Sequence, residues 1–80
     1  MVVKIEVLGT GCSKCRRLEK NVKEAVDGTD IEVVKVTDIN EISSRGAMMT
    51  PGLAIDGEIV ALGRVPSVEE IKEMVEERQP

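Results

Sequence analysis

Aromatic residues and histidine are missing from this 80-residue chain, which holds no Phe, Trp, Tyr or His. Without histidine the commonest general base and the commonest metal ligand are gone. Without aromatics there is no platform on which a base or a sugar ring could stack. Hydrolase and nucleic-acid readings therefore lose their usual equipment before any motif is sought. Long apolar stretches are missing too. None approaches the roughly 20 residues of a membrane helix, and Met1-Val2-Val3-Lys4-Ile5-Glu6 is too short and too broken by charge for the apolar part of a signal peptide. Eleven Lys and Arg face fifteen Asp and Glu, a formal charge of −4, with no basic stripe or tail to suit a phosphate backbone or an anionic membrane. The expectation is one domain over residues 1–80, monomeric and cytoplasmic, with neither nucleic acid nor membrane as a partner. At this size folding buries only about 60% of the unfolded surface. The core must be dense, and it is built from Val, Ile, Leu, Met and Ala alone.

What chemistry remains falls to Cys, carboxylates, Lys, Arg and hydroxyls. In a reducing cytoplasm two cysteines three apart are rarely a structural staple, so Cys12 and Cys15 point to redox activity or metal binding. Their place in the chain narrows this. Val2 to Leu8 is a near-continuous apolar run ending at Gly9, which suits a strand covered on both faces. Beyond Gly9-Thr10-Gly11, apolar residues recur at Cys15, Leu18, Val22, Ala25 and Val26, a spacing that predicts a helix with one buried face, stopped near Gly28. Ile31 to Val36 reads as a second strand. Asp38 and Glu41 form a capping box for a short helix carrying Ile39 and Ile42 and closed by Gly46. Leu53 to Ile55 and Glu58 to Leu62 flank Asp56-Gly57 as a hairpin. Ser67 and Glu70 then cap a last helix with Val68, Ile71, Met74 and Val75 on one face. The order is β-α-β-α-β-β-α, and a right-handed parallel crossover followed by an antiparallel hairpin demands an α/β fold with a mixed sheet covered by helices.

Cys12-Ser13-Lys14-Cys15 falls where the first strand gives way to the first helix. Cys12 is thus expected at a helix N-terminus, where unpaired backbone N–H groups favour a thiolate, and Lys14, Arg16 and Arg17 add positive charge. Cys15, one turn in and on the apolar face, is expected to be buried and protonated. The roles are complementary: Cys12 attacks a disulfide, and Cys15 resolves the mixed disulfide by closing an intramolecular bond. Rival readings stand beside this one. Both cysteines could be inert core residues. A closed zinc site would need two more ligands than the chain's cysteines provide, whereas a soft Cu(I) ion needs only two thiolates, so a soft-metal carrier and a redox-gated binding module are the alternatives. Read as a phosphate loop, Gly9-Thr10-Gly11-Cys12-Ser13-Lys14 fits neither glycine pattern.

An X-Pro bond alone is cis in only about 5% of cases, so Thr50-Pro51 informs only in combination. With the Cys-x-x-Cys at a helix start and the element order, the chain resembles the thioredoxin superfamily, in particular its small redox-active disulfide proteins. The residues carrying the resemblance are Gly9-Thr10-Gly11-Cys12-Ser13-Lys14-Cys15, Thr50-Pro51-Gly52, Ile55-Asp56-Gly57-Glu58 and Gly63-Arg64-Val65-Pro66-Ser67. It implies a thioredoxin-like four-stranded mixed sheet flanked by three helices, and a thiol-disulfide oxidoreductase with Cys12 as nucleophile and Cys15 as resolving thiol. It also implies that Pro51 is the cis-proline facing the pair, and that the Thr50 backbone pairs with an extended substrate. Gly11, Ser13 and Lys14 would complete the substrate contact. No cofactor and no metal are implied. Disulfide-containing proteins and a disulfide reductase are the implied partners. Thioredoxins have Trp-Cys-Gly-Pro-Cys where this chain has Gly11-Cys12-Ser13-Lys14-Cys15, so the large aromatic docking surface is absent. Glu6, six residues before Cys12, stands at the spacing of the buried acid that assists the resolving cysteine in thioredoxins. On a doubly covered strand its pKa is expected to rise; the plainer reading is a Glu at a solvated strand position, paired with Lys4 or a neighbouring strand.

Overall fold

The computed structural model describes residues 4–78; Val2 and Val3, joined above to the first strand, lie outside the described residues. Seven elements follow in the expected order: β1 (Lys4–Leu8), α1 (Ser13–Ala25), β2 (Glu32–Val36), α2 (Ile39–Ser44), β3 (Gly52–Ile55), β4 (Glu58–Leu62) and α3 (Val68–Arg78). The sheet runs β2-β1-β3-β4. Strands β1 and β2 are parallel, while β3 is antiparallel to both β1 and β4. Three helices flank this mixed sheet, and the architecture is thioredoxin-like.

Alternation along β1 sorts the core into two layers. Ile5 and Val7 point to α1 and α3, where they pack with Leu18, Val22, Leu53, Ile55 and Ile71. Leu8 points the other way, to Ile42 and Ala47 below α2, together with Val36 and Ala54. Both faces of β1 are therefore covered, as its unbroken apolar run requires.

Local chemistry fixes the ends of the elements. The Asp38 carboxylate accepts the Asn40 and Glu41 N–H groups at 2.8 and 3.3 Å, capping α2 as expected. Glu41 does not complete the box, because its carboxylate turns to Arg45 instead. At α3 the box is reciprocal: the Glu70 N–H donates to Ser67 Oγ at 3.1 Å, and the Ser67 N–H to Glu70 Oε1 at 3.2 Å. In the β3–β4 turn Asp56 and Gly57 both have positive φ, 49° and 88°, the pairing that a two-residue hairpin of this hand needs.

Candidate active site

The loop from β1 to α1 and the segment entering β3 meet at the same end of the sheet. Cys12 occupies the N-cap of α1, the position where helices ordinarily place Ser, Thr, Asp or Asn. Its backbone is extended, with φ −66° and ψ 169°, and its sulfur accepts the Cys15 N–H at 3.4 Å. No acidic residue occupies the first turn, so the positive end of the helix is left to the sulfur. Cys12 is exposed, whereas Cys15 is 5% exposed and begins the buried stripe that continues through Leu18 and Val22.

The two sulfurs lie 2.7 Å apart. Hydrogen bonding from the Cys15 thiol, reinforced by the Cys15 backbone N–H, pushes the Cys12 pKa down. Burial, with the hydrogen bond to Cys12 acting in the same sense, pushes the Cys15 pKa up. The two shifts run in opposite directions, so Cys12 is the thiol of the pair that ionises first. One helix turn produces this inequality by exposing the first sulfur to water and amide donors and burying the second.

Gly9 is where the β3 segment joins the pair. It is buried, and its N–H is held by the Val36 carbonyl at 2.9 Å. A Cβ at this position would run into Cys15 Sγ, would stand 3.1 Å from Cys15 Cβ, and would lie 3.9 Å from Pro51 Cα. Cys15 and Pro51 therefore pack against the same side-chain-free backbone. The Thr50-Pro51 peptide is cis. Pro51 is buried, its carbonyl accepts the Gly63 N–H at 2.9 Å, and Thr50 before it is exposed. Gly11, with φ 96°, Ser13 and Lys14 are exposed around Cys12.

Residues 3–76 match the family described as thioredoxin domain. The chain belongs to the thioredoxin family. It is similar to a thioredoxin of Methanocaldococcus jannaschii, 53% identical over 75 residues that cover 91% of this chain and 86% of that protein. It is likewise similar to a thioredoxin of Methanothermobacter thermautotrophicus, 46% identical over 76 residues, 92% and 99% of the two chains. As a thioredoxin-family protein with its two cysteines in contact, it is a thiol-disulfide oxidoreductase.

Glu6 lies on the face of β1 opposite α1, and the pKa rise expected of it is reversed. By strand alternation it shares the α2 side of the sheet with Leu8, whereas Val7 lines the small cleft beside Cys15. Glu6 is only 2% exposed, yet Arg45 at the end of α2 meets it with two bonds, Nη1 to Oε1 and Nη2 to Oε2, each 2.7 Å. This forked contact outweighs burial and holds the Glu6 carboxyl below its usual range. Nothing in the sequence around Arg45 signals a partner 39 residues away, and Gly9 was legible only as part of a glycine-rich approach.

A stability prediction follows from the sign of this shift. A carboxyl depressed in the folded state contributes fully above its unfolded pKa of about 4.3, and the contribution is lost as pH falls through the lower folded value. Glu6→Gln is expected to cost about 1–3 kcal/mol at neutral pH, towards the low end because the Arg45 side chain is 32% exposed and water can take over. Urea unfolding of both proteins between pH 7 and 3 checks this: the gap should close with acidification. Parallel curves would show that Glu6 is not the group that titrates.

Proposed function

We propose that this thioredoxin-family protein reduces protein disulfides by a two-step exchange in which Cys12 attacks and Cys15 resolves. The Cys12 thiolate attacks one sulfur of the substrate disulfide; that S–S bond breaks and one substrate thiolate leaves. Cys15 then loses its proton and attacks Cys12 Sγ, and the second substrate thiolate departs and is protonated. Two electrons and the one proton of the pair pass to the substrate, whose other thiolate takes any further proton from solvent, and the protein is left with a Cys12–Cys15 disulfide that a separate disulfide reductase must reopen. The exposed Thr50 backbone offers edge groups to an extended substrate segment, with Gly11, Ser13 and Lys14 facing the same approach. A reducing cytoplasm and a monomeric state are the setting in which such a carrier works.

The observation that carries this reading is the asymmetry of the pair, one sulfur exposed at a helix N-terminus and its partner buried 2.7 Å away. Its test is the pH dependence of alkylation in the reduced protein, with the labelled site located by mass spectrometry. Cys12 is expected to label first, with an inflection below the free-thiol value of about 8.5, and Cys15 only at higher pH. In Cys15→Ala the Cys12 inflection should move up, since the donor is gone. Equal rates at both cysteines would defeat the assignment. Stoichiometric Cu(I) uptake without disulfide turnover would favour a metal carrier instead.

A further inference from the structure

The chain's negative balance conceals a cationic surface beside the nucleophile. Lys14, Arg16, Arg17 and Lys20 stand on the first two turns of α1, all exposed, and among the described residues none of them takes part in an ion pair. The one acid in that stretch, Glu19, is already engaged by Lys23 at 3.0 Å and Lys35 at 3.4 Å, and Glu24, which shares a groove with Arg16 and Lys20, forms an ion pair with neither. With Glu19 counted, this helix end sums to +3, set against −7 for the rest of the chain. Helix α1 presents its positive pole in the same place.

On the Pro51 side the surface is of another kind. Met48 and Met49, 86% and 60% exposed, and the exposed Thr50 lead into Pro51 without a charge. Positive charge therefore borders Cys12 on the α1 side, and the segment entering β3 contributes none. Such an arrangement attracts and orients an anionic partner, and repels a cationic one, during diffusional encounter.

Building on the exchange reading above, we infer that the substrates this protein serves fastest are acidic, with Asp or Glu beside the target disulfide on the side that meets α1. The electron donor in the encounter is the reduced Cys12–Cys15 pair itself. Charge acts on the approach and leaves the bonds made and broken unchanged.

The test uses three synthetic peptide disulfides of one sequence, flanked by Glu, Ser or Lys, each mixed with pre-reduced protein in single turnover. At low ionic strength the Glu-flanked peptide is expected to react at least about tenfold faster than the Lys-flanked one, the low end of what steering supplies. The ratio should fall towards one in about 0.5 M salt, where screening acts within a few ångström. It should fall likewise in Arg16→Gln/Arg17→Gln/Lys20→Gln. A change in Cys12 nucleophilicity would scale all three peptides together, so the ratio isolates the approach. Equal rates in the native protein, or a ratio untouched by both salt and the triple substitution, overturns the inference while leaving exchange intact. Failure of all three peptides to react, with Cys12→Ser as the reference, overturns the exchange reading and the inference with it.

Discussion

Cys15→Ser is expected to stop catalytic turnover and to leave the protein covalently joined to its substrate through Cys12. The exposed Cys12 thiolate retains its position at the helix N-cap, so the first attack still proceeds. The second does not, because the only thiol placed against Cys12 Sγ, 2.7 Å away, has gone. Well-oriented intramolecular groups act at effective concentrations on the order of 10⁵ M or more, which millimolar external thiol cannot replace, and multiple turnover should fall by at least about 10³. Cys12→Ser should lose turnover as completely and trap nothing, since the buried Cys15 has no access to a protein disulfide. Non-reducing gels and mass spectrometry of the two variants incubated with a disulfide-bonded protein distinguish them. Adducts on Cys12→Ser and none on Cys15→Ser would reverse the order of attack.

The parts of this molecule legible in the sequence are those whose cause is local. Helix spacing marks the face of α1 that Cys15, Leu18 and Val22 bury, and the Ser67–Glu70 box closes as its three-residue interval requires. The position of Cys12 between a strand and a helix suffices to foresee an exposed sulfur on amide donors. What sequence spacing could not supply is which face of β1 each residue takes relative to the cysteines. Glu6 stands six residues before Cys12, but by strand alternation it lies on the α2 side, where Arg45 finds it; the side chain towards Cys15 is that of Val7. The pKa expectation for Glu6 was right about desolvation and lacked the partner that outweighs it. Net charge is likewise silent on placement. A sum over the chain is blind to how the fold groups its terms, and here four cations that form no ion pair among the described residues gather at one helix end.

Gly9→Ala tests the packing that holds the pair together, and its expected effect is large for one methyl group. The Gly9 backbone cannot retreat, since it leaves β1 with its N–H bound to the Val36 carbonyl. Cys15 cannot retreat easily either, because it is buried and its helix packs against the sheet through Leu18 and Val22. The added Cβ would meet Cys15 Sγ first and Cys15 Cβ next, at 3.1 Å. Relief requires the start of α1 to shift, and Cys12, as its N-cap, shifts with it. Overpacking of this kind costs about 1–3 kcal/mol, and the displaced sulfur should slow resolution of the mixed disulfide more than its formation. If the collision is with the sulfur, removing the sulfur should relieve it. Gly9→Ala/Cys15→Ala is therefore expected to be more stable than the two single losses predict, by about 0.5–2 kcal/mol. Relief will be incomplete because the Cys15 Cβ stays close. Urea unfolding of the four proteins closes the cycle, and strict additivity would mean that Gly9 is glycine for a reason other than the room it leaves for Cys15.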